Sequence, residues 1–134
     1  MTRSDDTGKL ILRLTIGILM LLHGIAKLSN GIDPISGMVA SQGLPAFFAY
    51  GVYIGEVLAP VLIIIGVFTR PAAAVVAINM IMAIWLAHMG AITTLGKTGG
   101  WALELQGLFL FSAMALIFLG AGRLSMGGIA GKYN

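Results

Sequence analysis

Four long apolar segments alternate with short polar segments along the chain. The apolar segments cover residues 10–28, 46–68, 71–89 and 101–120, and each has the length of about 20 residues that a helix needs to cross a bilayer. Glycine, proline, asparagine and other breakers lie between the apolar segments, where helices are expected to end. The pattern predicts an all-α integral membrane four-helix bundle, formed by a single transmembrane domain over residues 1–134.

A shorter apolar pattern lies between the first two predicted spans. Ile35, Met38 and Val39 follow the i, i+3, i+4 spacing of a helix face. Residues 34–42 are too few to cross a bilayer, so we expect a short amphipathic helix that lies at the membrane interface.

Composition supports a membrane location. Of the 134 residues, 58% are hydrophobic and only 10% are charged, with a mean hydropathy of +0.98, which is far more apolar than a soluble domain. The net charge of +3 comes from scattered basic residues that form no patch, so nucleic acid is not an expected partner. Cysteine is absent from the sequence, which excludes disulfides, thiol relays and thiolate-held metal or iron–sulfur sites within the chain.

The basic residues predict the orientation in the membrane. With the N-terminus in the cytoplasm, only Lys27 and Lys97 fall outside, and six residues fall inside: Arg3, Lys9, Arg13, Arg70, Arg123 and Lys132. An excess of lysine and arginine on the cytoplasmic side is typical of multi-pass proteins. We therefore expect a cell inner membrane protein with both termini in the cytoplasm.

Ionisable residues inside the predicted spans are the candidate functional residues. A charge at the bilayer centre costs about 2.5–3.5 kcal/mol even on the most lenient scale, so such residues usually have a partner or a function. The main candidates for ligand binding or proton handling are His23, Lys27, Glu56 and Glu104. Depths estimated from helix rise place His23 near Glu56 and Lys27 near Glu104.

Pro60 adds a backbone feature to the second span. A proline in a helix has no N–H to donate to the carbonyl four residues earlier, and that carbonyl belongs to Glu56. A carboxylate and an unpaired carbonyl at mid-membrane form a site rich in acceptors. Glu56 is the candidate that a purely structural role explains least well.

Structural alternatives remain open for the other polar residues. Arg13 is close enough to the cytoplasmic end to snorkel into water, Lys27 can serve as an outer anchor, and His23 can be a structural hydrogen-bond donor. Asn79 and His88 are nine residues apart, which places them on opposite sides of an α-helix, so one of them is available for an oligomer contact.

Cofactor sites held by the chain alone are not expected. His23 and His88 lie at similar depth, which leaves bis-imidazole haem ligation as a minor alternative, and no metal-ligand run is present. Gln106 diverges from Glu104 around the fourth helix and receives no site role. Small residues on the first two spans predict close helix contacts: Gly17, Gly24, Gly51, Gly55 and Ala59.

Taken together, these residues resemble the DoxX family of small four-helix membrane proteins of bacteria and archaea. The matching motifs are Arg13-x-x-x-Gly17, His23-Gly24-x-x-Lys27-Leu28, Gly55-Glu56, Gly66-Val-Phe-Thr69-Arg70-Pro71-Ala-Ala, and Gly120-Ala-Gly-Arg-Leu-Ser125. Ala121 stands where the family usually has a proline.

The resemblance implies a membrane subunit of an oxidoreductase system. The family includes a quinone-reducing thiosulfate oxidoreductase and a complex that ties thiol and superoxide defence to the membrane. The leading hypothesis is therefore a redox subunit that binds a quinone or similar small apolar molecule in the outer half of the bundle. A redox partner subunit or a second copy of the chain would complete it. The alternatives are a small-solute carrier and a non-catalytic membrane anchor.

Overall fold

The computed structural model describes residues 2–134 and contains five helices over that range. We number them α1 (Arg3–Asn30), α2 (Asp33–Ser41), α3 (Ala46–Ile65), α4 (Thr69–Ala91) and α5 (Glu104–Leu119). Apart from an isolated bridge between Leu95 and Trp101 in the loop before α5, residues 2–134 contain no β-structure. The predicted all-α class is confirmed.

The helix ends follow the local sequence. Thr2 caps α1, because its hydroxyl accepts a bond of 3.1 Å from the Asp5 amide while the Asp5 carboxylate accepts one of 2.9 Å from the Thr2 amide. This reciprocal pair satisfies amide groups that the first helical turn leaves free. At the C-terminal end of α3, Gly66 adopts a left-handed conformation with φ of 75°, which glycine tolerates without strain.

Three of the five described helices are long and apolar enough to cross a membrane. Helices α1, α3 and α4 have 28, 20 and 23 residues, with mean hydropathies of 1.7, 2.0 and 1.9. Helix α5 is equally apolar in character but has 16 residues, or about 24 Å at the usual rise, against a hydrocarbon core of about 30 Å.

One hydrophobic core joins α1, α3, α4 and α5. It includes Ile16 and Met20 from α1, Ile63 from α3, Val76 from α4 and Ala113 from α5, each at most 2% exposed. The larger apolar side chains on the outer faces are exposed, as expected for a surface that contacts lipid rather than water.

Helices α3 and α4 depart from α-geometry at matching places. Residues Ile54–Leu58 of α3 and Ile84–His88 of α4 form π-helical turns. Such widened turns are rare and often occur at functional sites. Both of these turns face the cavities described below.

Helix α2 covers the beginning of α3. Its Val39 is buried in a second, smaller cluster with Ile32 and Ala49, and Leu86 of α4 packs against this cluster. The short helix therefore lies beside the wide turn of α4 and near the site.

Candidate functional site

A carboxylate–ammonium pair lies between α1 and α3. The Lys27 ammonium nitrogen is 2.7 Å from Glu56 Oε1 and 2.5 Å from Oε2. The Glu56 side chain is 3% exposed, whereas that of Lys27 is 32% exposed. The expected pairing of Lys27 with Glu104 is wrong, because Lys27 bonds to the buried Glu56.

Glycine permits this pair to form. A Cβ atom at Gly24 would overlap the carbonyl group of Glu56, so the backbones of α1 and α3 touch at this point. Since Pro60 has no N–H, the Glu56 carbonyl lacks its usual helical donor. The close approach at Gly24 places the α1 backbone against that carbonyl and brings Lys27, one turn further along, within reach of the carboxylate.

The same contact holds the Glu56 carboxylate near the middle of α3, whereas Lys27 reaches it from the last turn of α1. Glu56 is ten residues from the first residue of α3 and nine from the last, or about 15 Å from either end at the usual helical rise. An unpaired charge at such depth is costly. Mutual neutralisation makes the pair tolerable there, while the ammonium group, which has three donors, keeps one N–H free for a further acceptor.

Two cavities meet at this ion pair. The first, of about 180 Å³, is lined by Lys27, Glu56, Asn79 and His88 together with apolar residues of α2 and α4. The second, of about 130 Å³, lies toward α5 and also contacts Lys27, Glu56 and His88. The pair thus forms a wall between two small chambers, and its polar atoms are accessible from both.

His88 and Asn79 both line the first cavity, contrary to the expectation that they face opposite sides of their helix. The π-helical turn Ile84–His88 explains the difference. A π-helical turn contains one extra residue. The side chain that follows it is therefore rotated by about 100° around the helix axis from its position in a regular α-helix. His88 is thereby rotated toward the face that carries Asn79.

Gln106 belongs to the site although the sequence assigned it no role. Its amide nitrogen is 3.4 Å from His88 Nε2, and both residues line the second cavity. The two side chains are therefore within hydrogen-bonding distance, and the tautomer of the imidazole sets the direction of the bond. The contact of Gln106 with His88 could be predicted only if the direction of His88 after the π-helical turn of α4 were known.

His23 lies at the edge of the site. Its ring makes an edge-to-face contact with Phe109, with the ring centres 5.9 Å apart. It lines the second cavity and also a shallow groove between α1 and α5. The expected pairing with Glu56 is not formed, since the carboxylate is bound by Lys27.

Glu104 lies apart from the other candidates. It is exposed in the first turn of α5, beside Gly100 and in a groove with Trp101. A carboxylate in the first turn of a helix is stabilised by the helix dipole. This structural explanation accounts for Glu104, and the structure does not bring it into the site.

Arg13 is buried and does not snorkel, so that alternative is wrong. It is 1% exposed, and its guanidinium donates to the carbonyls of Ile63 and Ile64 at 3.0 and 2.9 Å and to those of Ala121 and Leu124 at 3.1 and 2.7 Å. Two of these acceptors are end-of-helix carbonyls of α3, which lack helical donors. Arg13 is thus a structural clamp, about 16 Å along α1 from the level of Gly24.

A cluster with the composition of a metal site is not found among residues 2–134, where no group of three or more His, Asp and Glu side chains is placed to hold an ion. The polar groups at the site are of mixed type: the ammonium and the carboxylate of the ion pair, an imidazole and two amides.

Comparison with known proteins gives a family match and two related sequences. A family model described as DoxX matches residues 8–89. The chain is similar to a Bacillus subtilis (strain 168) protein named "Putative oxidoreductase CatD", with 34% identity over 84 residues, which are 63% of this chain and 62% of that protein. The chain therefore matches less than two thirds of that relative.

The second relative is a Haemophilus influenzae protein described only as uncharacterized. It is 29% identical over 119 residues, which are 86% of this chain and 84% of that protein. No solved structure matches the chain at a significant level.

Proposed function

Because the chain belongs to the DoxX family, we propose that it is a multi-pass membrane subunit associated with an oxidoreductase system. The word oxidoreductase in the name of the Bacillus subtilis relative supports this class. The location we propose is the cell inner membrane, with lipid around the apolar faces and a redox partner subunit or a second copy of the chain as protein partner.

The topology that we propose has four spans with both termini in the cytoplasm. Helix α5 is short, but Trp101, Ala102 and Leu103 precede it and extend the apolar segment. An even number of spans also keeps the basic residues near both termini on one side, as the positive-inside rule favours. Arg70 lies in the first turn of α4, and Arg13 binds the last carbonyls of α3, so both mark the side that we place in the cytoplasm.

The ligand that we propose is a quinone or a similar neutral, apolar molecule with a polar head. The observation that carries this proposal is the Lys27–Glu56 pair, whose carboxylate is buried near the middle of α3 and whose two residues line two cavities. Because the pair is neutral overall, it does not select a charged ligand. Its remaining ammonium N–H is suited to a carbonyl oxygen, and the imidazole and amide groups nearby are further hydrogen-bonding partners.

Electrons are expected to come from the partner and not from this chain. The sequence has no cysteine, so thiolate redox centres are excluded within it. The chain would then supply the binding site in the membrane, where its ionisable groups can exchange protons with a bound head group.

Quinone content tests the proposal. Protein purified from membranes in mild detergent is extracted with organic solvent, and quinone per protein is measured by absorbance. We expect bound quinone in the parent protein and little in the double variant Lys27→Met/Glu56→Leu, which removes both charges together and leaves neither unpaired. The matched control is Asp6→Asn/Arg123→Gln, which alters the ion pair at the other end of the molecule and should retain quinone.

Absence of quinone from the parent protein, together with no binding of added quinone, would overturn this ligand. Uptake of a water-soluble solute by proteoliposomes that depends on Glu56 would then support a carrier. If neither binding nor uptake is found and a partner complex still needs the chain for membrane attachment, the protein is an anchor.

A further inference from the structure

A third cavity extends the site toward the outer surface of the helices. It has a volume of about 390 Å³ and is bounded by α2, α3 and α4. It shares Asn79, Val52 and Leu86 with the first cavity, so the two are adjacent. We refer to this third cavity as the lateral groove.

The lateral groove is almost wholly apolar. Among residues 2–134, Asn79 is the only one with a polar side chain that lines the groove, and it lies where the groove adjoins the first cavity. The other lining residues include Val39, Phe48 and Ile78. Phe48 and Ile78 are 53% and 60% exposed. The groove is therefore open on the outer, apolar face, and at Asn79 it adjoins the first cavity, which the Lys27–Glu56 pair lines.

Asn79 has hydrogen-bonding capacity that the described residues do not use. Its side chain packs on Gly55, where an added Cβ would come within 2.7 Å of it, and residues 2–134 supply no hydrogen bond to its amide. An amide has two donors and an acceptor oxygen. Polar groups at membrane depth normally have partners, and this partly buried amide beside two cavities is available to bond a ligand.

Resting on the proposed function, we infer that the ligand enters sideways from the lipid. Its head lies between the Lys27 ammonium and the Asn79 amide, and its apolar tail lies in the lateral groove. The head must be neutral and must carry two hydrogen-bonding oxygens, one for each residue. A tailed quinone has this chemistry. Asn79 thereby becomes a head-group-binding residue, and α2, which forms one wall of the groove, becomes part of the tail site.

Depth argues against a phospholipid as the occupant. Asn79 is ten residues from the first residue of α4 and twelve from the last, which places it about 15 Å or more from either end. A charged phospholipid head at that depth would pay the cost of a buried charge and would meet a neutral ion pair. A neutral head group avoids that cost.

A blocking substitution in the groove tests the tail site. Gly51 lines the lateral groove, and an added Cβ there meets no atom within 4 Å. We expect Gly51→Phe to fold and to obstruct the tail. The control is Gly37→Phe on α2, where space is equally open but the residue lines none of these three cavities.

Binding is measured in nanodiscs with two probes, decylubiquinone and the same ring without a tail, at concentrations expressed per lipid. We expect Gly51→Phe to weaken decylubiquinone binding about fivefold or more, because the tail is excluded, and to leave the tailless ring unchanged. Asn79→Leu should weaken both probes equally. Gly37→Phe should change neither.

Each failure has a separate meaning. If the parent protein binds neither probe, the proposed quinone function fails. If it binds both and Gly51→Phe affects neither, the ligand is retained but the tail does not lie in the lateral groove.

A second measurement covers the case in which Gly51→Phe does not fold. A decyl-tailed quinone with a diazirine at the tail end should label the peptides around Val39, Phe48 or Ile78 upon illumination of the parent protein. Labelling confined to α1 and α5 would overturn the inference.

Discussion

The two partners of the Lys27–Glu56 pair differ in how much they depend on each other. Lys27 is partly exposed and has a long side chain, whereas Glu56 is almost fully buried. A lysine that loses its partner can extend toward the membrane surface. A buried carboxylate in the middle of α3 has no such escape, so the free-energy cost of breaking the pair depends on which residue is removed.

We predict that Lys27→Met destabilises the protein more than Glu56→Gln does. Lys27→Met leaves the Glu56 carboxylate buried and unpaired, which costs about 3–5 kcal/mol, whereas Glu56→Gln leaves an ammonium group that can reach water. Denaturant unfolding in mixed micelles measures both losses. The double variant Lys27→Met/Glu56→Gln should recover most of the stability lost by Lys27→Met. Equal losses for the two single variants, without recovery in the double variant, would contradict this assignment of roles.

Sequence reasoning at the residue scale identified Glu56 but assigned it the wrong partner. The depth estimate assumed straight α-helices with a constant rise from their outer ends. Helix α3 instead begins with a 3-10 segment, Ala46–Tyr50, and continues through the wide turn Ile54–Leu58, so residue counting from its outer end misplaces Glu56 relative to α1. The contact at Gly24 sets the relative depth of the two helices.

At the scale of helices, glycine determines how closely α1 and α3 approach. Without a hydrophobic driving force between helices in lipid, close packing through small residues is a main source of association. Gly24 and Gly17 both face the α3 backbone, at the carbonyls of Glu56 and Pro60 respectively. Gly51 of the predicted small-residue stripe makes no such contact and faces the lateral groove instead.

We predict that Gly24→Ala destabilises the protein and reduces ligand binding together. The added methyl group would overlap the Glu56 carbonyl, and overpacking of this kind costs about 1–3 kcal/mol. Separation of α1 from α3 should also move Lys27 away from the carboxylate. Thermal unfolding and decylubiquinone binding measure the two effects.

Gly8→Ala provides the control for this substitution. Gly8 is in the same helix and has no neighbour within 4 Å of an added Cβ, so alanine should be neutral or stabilising by up to about 1 kcal/mol through helix propensity. Equal stability of the Gly24 and Gly8 variants would show that the helices do not rely on this contact.

The wide turns show where sequence patterns reach their limit at this scale. The spacing of apolar residues is sufficient to predict that residues 71–89 are helical, but not that one turn within them contains an extra residue. That turn brings His88 to the face of Asn79 and to Gln106. The sequence therefore predicted a helix with two divergent polar residues, and the folded helix directs both toward one cavity.

At the scale of the whole molecule, two arginines bond the helices to one another at the end of the molecule away from the lateral groove. Arg13 binds carbonyls at the end of α3 and in the segment after α5, and Arg70 donates to Ile117 and Phe118 at the end of α5, at 2.7 and 2.8 Å. Each satisfies carbonyls that a helix end leaves without donors. The arginines of the two family motifs are thus explained by architecture, and the ion pair remains the chemically distinctive feature.

The number of spans determines on which side of the membrane the C-terminus lies, and labelling measures it. If α5 crosses the bilayer as proposed, both termini lie on one side; if only α1, α3 and α4 cross, the termini lie on opposite sides.

The chain contains no cysteine, so single cysteines can be placed at exposed Ser4, Lys97 and Tyr133. We predict that a membrane-impermeant maleimide added to intact spheroplasts labels Lys97→Cys alone, and that Ser4→Cys and Tyr133→Cys react only after lysis. This result follows from the charge bias, because translocating Arg123 and Lys132 would oppose the positive-inside rule. Labelling of Tyr133→Cys from outside, with Ser4→Cys protected, would establish three spans. The segment after α5 would then lie on the side of the membrane opposite the C-terminal end of α3. Arg13 could not bond to the carbonyls of both, as it does in this structure.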